Sequence, residues 1–527
     1  MNNDPNENQS DHPLAWSPVA DAMRHDRQPE PTTRQGNPID PADPGSSVSR
    51  LVAVLITIAM VAFVIAWQNT GEEIKLKYLL NKPLPPVVLT EDQPAPGSYG
   101  QTDLMGRIYL RGYEMLKDQP IMSQLEPAGV ALTPEDRVRN IMLAGEFVDD
   151  QAALNRIDSF RTELEYDAID TMNPRIPDDL ILAELNALEI IYTAGIDSLE
   201  NNQVLQLQSR YGLIGKVAVT HGLDDTDPRR APLITGIIPL GLFMILAGLV
   251  VILGPLLGLI ILVFGIVQLS TGRMKFRNHV PAKGGSVFLE TYGVFVGGFL
   301  IISIATFFVS YSSRPELAGL SLLAQWLLLL LVLWGVFRGM NAGTWRKAIG
   351  WHAGEGVFKE IGCGALAYLA SLPIYIVGVI ITAILLILRD LITTMQNNGA
   401  PAEPVSVSNP IFEMIASGSV FSIILLFALA TTWAPVVEEA IFRGALFRHM
   451  RSSMHWVFAA FLSAVLFAFM HDYGPLMVAP LIALGFMFAF MREWRGSLIA
   501  PMTAHFMHNF TLMAFMIMLV QLIKDPM

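Results

Sequence analysis

Residues 232–270 read PLITGIIPLGLFMILAGLVVILGPLLGLIILVFGIVQLS, a run without a single Asp, Glu, Lys or Arg. A stretch this long and this apolar has to satisfy its backbone groups inside lipid. It is too long for one ordinary span of about 20 residues and short for two. Gly254-Pro255 in its middle fits either a kink or a turn. Comparable blocks follow near 291–311, 320–337, 365–388, 411–434, 456–470, 475–491 and 497–523, and one precedes, Leu51–Trp67. Only 16% of the chain is charged, against about 25% in a soluble protein. The expected fold is therefore all-α: a polytopic membrane helical bundle of nine or ten spans, carrying an inserted soluble helical domain.

Outward from that block the chain divides by composition. Residues 1–50 are rich in Asp, Asn, Pro and Gln without apolar periodicity and read as a disordered tail. Residues 51–67 follow too long a tail for a signal peptide and read as a retained anchor. Residues 68–231 carry 27 Asp plus Glu against 15 Lys plus Arg, which accounts for the whole net charge of −12. After a Pro-rich stretch at Lys82–Pro96, apolar residues recur there at helical spacing. Thr133-Pro134-Glu135-Asp136 is a helix start: a cap, a proline at the first position and acids in the first turn. This segment reads as an acidic soluble helical domain with a solvated surface. Residues 232–364 form membrane helices and basic loops, and 365–527 a membrane domain that holds the ionisable residues.

An acidic segment without a basic face argues against nucleic acid as a partner. Cys363 is the only cysteine, which excludes an intrachain disulfide and a Cys-based metal site. Basic residues concentrate in alternate loops: Arg273, Lys275, Arg277 and Lys283; Arg338, Arg346, Lys347 and Lys359; Arg443, Arg448 and Arg451; Arg492 and Arg495. The positive-inside rule makes these loops cytoplasmic. If 232–270 crosses once, the helical domain lies outside the cytoplasm; if twice, inside. The first is favoured for an integral protein of the cytoplasmic membrane.

A charge at the bilayer centre costs about 2.5–3.5 kcal/mol on insertion scales. Three polar clusters nevertheless sit in or beside the last apolar blocks: Glu438-Glu439 with Arg443, Phe467 with His471, and His505 with His508 and Asn509. Glu439 and Arg443 stand four apart on a helix and neutralise each other, while Glu438 points about 100° away. His505 and Asn509 also share a face. Gly444 permits close helix contact, and Pro501 offers a bend that frees a carbonyl. Taken singly, Glu439–Arg443 reads as a structural ion pair, His471 as a helix-end residue and His508 as structural. Together they are the parts of a hydrolase: a desolvated carboxylate to take a proton from water, a histidine to orient it, and a His/Asn pair for an oxyanion. Buried Glu and His also line the ion pathways of transporters, but these clusters occupy one half of the chain and show no inverted repeat.

The order Glu-Glu-x-x-x-Arg, Phe-x-x-x-His, His-x-x-x-Asn, together with Arg495-Gly496-Ser497-Leu498-Ile499-Ala500-Pro501, resembles the CPBP family of intramembrane endopeptidases. That family comprises the CAAX prenyl proteases of the Ras-converting type and bacteriocin-processing or immunity proteins. The resemblance covers roughly 365–523. It implies an endopeptidase in which Glu438 with His471 activates water, Glu439 and Arg443 support the site with Phe467, and His505 with Asn509 forms the oxyanion hole. The family is often labelled as metalloproteases. The chain has no His-Glu-x-x-His and Asn is a poor zinc ligand, so no cofactor is favoured; if zinc is used, its ligands are Glu438, His471 and His505. The implied partners are the lipid bilayer and a membrane-anchored or lipidated peptide substrate. The alternatives are a membrane transporter and a non-catalytic immunity or scaffold protein.

Overall fold

A computed structural model describes residues 43–70, 72–75, 101–117, 119–120, 132–169, 179–310, 320–396, 410–417, 419–471 and 473–524. The expected tail up to residue 42 and the Pro-rich stretch Lys82–Pro96 lie outside the described residues. Among the described residues every regular element is helical. The longer helices are α1 (Ser47–Asn69), α2 (Gln101–Arg111), α3 (Pro134–Phe147), α4 (Asp150–Ile169), α5 (Asp179–Ala194), α6 (Asn201–Ala218), α7 (Ile237–Ser270), α8 (Val287–Ser310) and α9 (Val357–Gln396). They are followed by α10 (Val420–Arg451), α11 (Trp456–Phe469), α12 (Ala479–Arg495) and α13 (Ile499–Ile523).

Six described helices are long and apolar enough to cross a membrane: α1, α7, α8, α9, α10 and α13. A seventh arises if Leu322–Phe337 and Ala342–Ile349, bent by 114°, count as one span. This is fewer than the nine or ten expected, for two local reasons. The 232–270 block is one helix, because Gly254-Pro255 does not turn the chain; a membrane helix tolerates proline where neighbours help satisfy the freed backbone groups. The blocks at 456–470 and 475–491 form helices of only 14 and 17 residues.

Small residues set the packing of the spans. A side chain at Gly293 or Gly297 of α8 would collide with Thr57 or Met60 of α1, so these glycines let the two helices approach closely. Gly444 likewise lies against the Ile349 carbonyl. A further core joins α1, α8 and α10 through Val64, Tyr292, Phe295, Val437 and Phe442.

Helices α2 to α6 build a separate apolar core around Ile141, Leu143, Ile157, Leu185, Leu188 and Ile214. Thr133 caps α3 by accepting a hydrogen bond from the Asp136 N–H at 3.1 Å, with Pro134 following it. This unit is tied to the membrane bundle by Arg111, which donates to the carbonyls of Pro232, Thr235 and Lys524 at 2.8, 3.0 and 2.6 Å. It thus sits at the start of α7 and the end of α13. The basic Arg273–Lys283 loop lies past the far end of α7.

His221 closes the helical unit with both ring nitrogens, Nδ1 at 2.9 Å from Glu146 and Nε2 at 2.8 Å from Asp150. Arg230 donates to the other Glu146 oxygen at 2.6 Å. Burial pulls the His221 pKa down, but the two carboxylates outweigh it and the net shift is upward. A folded pKa above the unfolded one gives stability that is complete below the unfolded value, near 6.5. That stability is lost as pH rises through the raised value. Protection of α3 and α4 against hydrogen exchange, corrected for intrinsic rate, should therefore fall from mildly acidic to alkaline pH. His221→Gln should flatten that dependence.

Candidate active site

The ionisable residues gather on α10, α11 and α13, with α12 as their wall. Helix α10 is irregular where they lie: Leu429–Trp433 and Glu439–Leu446 are π-helical, and such wide turns recur at functional sites. Glu439 stands at the start of the second π turn and is fully buried. Its Oε1 accepts from Arg443 Nη1 at 3.0 Å and lies 3.0 Å from His505 Nδ1. Arg443, equally buried, gives Nη2 to the Gly485 carbonyl at 3.1 Å and lies over the Phe467 ring at 4.4 Å and the Phe488 ring at 5.2 Å. The cation is thus held by one carboxylate, one carbonyl and three aromatic faces, the third being Phe442 at 5.8 Å.

Glu438 is placed differently. Its Oε2 is buried without a hydrogen bond, as is Glu439 Oε2, but it lies 3.9 Å from His505 Nε2. His505 therefore faces a carboxylate with each ring nitrogen while Phe488 stacks on its face at 5.2 Å. Because Nδ1 donates to Glu439, Nε2 donates as well only when the ring carries both protons.

His471 caps the C-terminal end of α11. Its Nδ1 lies 2.9 Å from the Phe467 carbonyl and must donate to it, so that Nε2 is the acceptor in the neutral ring. The Phe467 ring touches His471 edge-on at 4.9 Å and His505 at 6.1 Å, so it stands between the two histidines. Asn509, one turn along α13 from His505, gives Nδ2–H to the Ala430 carbonyl at 2.8 Å, inside the first π turn. His508 is buried against Tyr375 and Tyr368 on another face.

Two sequence expectations need correction. Arg443 is not a loop residue: it is buried within α10, which continues to Arg451. Glu438 therefore stands roughly 20 Å inward from the α10–α11 turn at a helical rise of about 1.5 Å per residue. His471, at the end of the returning α11, comes back to the same depth. Pro501 does not bend α13, because the helix begins at Ile499 and its first-turn N–H groups have no intrahelical partner to lose.

Gly485 and Phe488 were missed from sequence, since glycine and phenylalanine in an apolar run carry no mark of a polar neighbour. Ala430 was invisible because its contribution is a backbone carbonyl. Tyr473, whose ring lies parallel to His471 at 6.2 Å, sits only two residues past the histidine and was a legible candidate. Among the described residues no three His, Cys, Asp or Glu side chains converge as a metal would need. The alternative zinc set of Glu438, His471 and His505 thus does not form a donor group in this arrangement.

Fold and site together define a multi-pass, helical membrane protein with a centre of two carboxylates, two histidines, an arginine and an amide, of which Glu439, Arg443 and His505 are buried and the others half-buried. Residues 420–511 match the family model described as Type II CAAX prenyl endopeptidase Rce1-like. This is the family whose motifs the sequence resembles, and the match contains all three of them. It does not include the acidic helical unit or the first spans. No curated protein matches the chain, and no solved structure does.

Proposed function

We propose that the protein is an intramembrane endopeptidase that hydrolyses a peptide bond in a membrane-anchored or lipidated polypeptide, using water activated by Glu438. The observation that carries this reading is the division of labour between adjacent carboxylates. Both carboxylates leave a buried Oε2 without a hydrogen bond, but Glu439 Oε1 is held by Arg443 and His505, whereas Glu438 Oε2 lies 3.9 Å from His505 Nε2 and outside that network. In the proposed reaction Glu438 takes a proton from water as its oxygen attacks the substrate carbonyl, with His471 Nε2 helping to orient that water. The carbonyl oxygen gains the charge, and the donors offered to it are His505 Nε2–H, with both ring nitrogens protonated, and the second amide hydrogen of Asn509. Collapse of the tetrahedral intermediate breaks the C–N bond, and Glu438 returns the proton to the departing amine. Burial strengthens each of these interactions relative to water.

Asn509 tests the oxyanion arm. Asn509→Ala should lower turnover by about 10²–10³-fold, the typical effect of losing one such donor, with little change in KM, because the bond strengthens only as the carbonyl becomes tetrahedral. Wild-type activity should survive chelators. Chelator-sensitive, zinc-rescued cleavage with a mild Asn509→Ala effect would replace this reading with a metal-centred one.

A further inference from the structure

A cavity lies on the face of α12 opposite the ionisable centre. Gly485 and Phe488 of α12 touch Arg443 and His505, while Phe486, Phe490 and Trp494 face the other way and wall a space of about 620 Å³. Its other walls are α7, through Leu262 and Phe264, and α9, through Leu366 and Ala370. Helices α7 and α9 meet closely at Gly258, where a side chain would strike the Leu369 carbonyl. The cavity occupies the space between them beyond that contact.

The lining is apolar along its length and cationic at one end. Arg273, Lys275, Arg277, Lys359 and Arg495 gather there around one lining carboxylate, Glu355. Glu355 is already taken by Arg277, by Lys359 at 3.1 Å and by Arg495 at 2.8 Å. Arg495 also pairs with Glu360 at 2.7 Å. Arg273 and Lys275 are exposed and make no ion pair among the described residues. The mouth therefore keeps positive charge where α7 ends and α9 begins, at the rim of the apolar span.

We infer that this groove is a binding site for an anionic phospholipid, with an acyl chain between α7, α9 and α12 and its phosphate at Arg273 and Lys275. Basic pockets between membrane helices hold anionic head groups in this way. The lipid anchor of a substrate fits the position less well, because α12 stands between the cavity and Glu438. An anchor lodged there would have to carry its scissile bond around that helix.

The test uses the full chain in detergent with equal phosphatidylglycerol and phosphatidylcholine, read by native mass spectrometry. Retention of phosphatidylglycerol over phosphatidylcholine is expected. The surface variant Arg273→Gln/Lys275→Gln should weaken it by roughly 30-fold, about fivefold per cation, and Leu262→Trp should fill the groove and abolish it. Cys363 lines the cavity and locates the lipid: phosphatidylglycerol should slow its alkylation in wild type but not in the double variant. Equal retention of both lipids, or preference unchanged in the double variant, would overturn the proposal. Slowing of Cys363 alkylation by a lipidated peptide and not by phosphatidylglycerol would give the groove to the substrate instead.

Discussion

Glu438→Gln should remove peptide cleavage while leaving the protein folded. The substitution keeps the shape of the side chain but removes its ability to take a proton, a function worth about 10²–10⁴ in rate for a positioned general base. Its structural cost should be small, because Glu438 Oε2 makes no hydrogen bond that the amide would break. Its neighbour, by contrast, holds Arg443 and His505. Turnover and thermal unfolding of the same purified sample check both halves. Near-wild-type cleavage would remove Glu438 from the role of base. Equal loss of activity and stability would make it a structural residue.

The second large effect is on folding. Arg443→Met leaves Glu439 fully buried with its cation gone, and breaking a buried pair from one side costs about 3–5 kcal/mol. Much of that penalty belongs to the orphaned carboxylate, so Glu439→Gln/Arg443→Met should recover much of the lost stability. It should not recover activity, because His505 Nδ1 then faces a neutral amide. Thermal unfolding of the two single variants and the double variant gives the coupling. Additive losses would mean that the pair contributes nothing as a pair.

The site was legible in outline because its chemistry forced ionisable residues into apolar runs, where they stand out. Glu439–Arg443 and His505–Asn509 were readable as same-face pairs from their four-residue spacing. What the spacing did not reveal came from the backbone. The π turns of α10 bring the Ala430 carbonyl to Asn509, and no residue type announces such a turn. Arg443 misled the topology because a basic residue near a basic loop resembles part of it; three-dimensional partners, a carboxylate and three rings, allow it to be buried. The fold class followed directly from apolarity. The span count did not, because block length alone does not distinguish a 17-residue helix at α12 from a full crossing, nor one long helix at α7 from two.

The central claim is that this membrane bundle cleaves peptide bonds with water activated at Glu438. The most direct measurement incubates the full chain in proteoliposomes with a panel of membrane-anchored peptides in ¹⁸O-water, with hydroxylamine present as a trap. The account predicts a new C-terminal carboxylate carrying solvent oxygen, no hydroxamate, and neither product with Glu438→Gln. Intact peptides alongside a proton or ion flux that Glu438→Gln stops would contradict it and make the same buried groups a transport pathway.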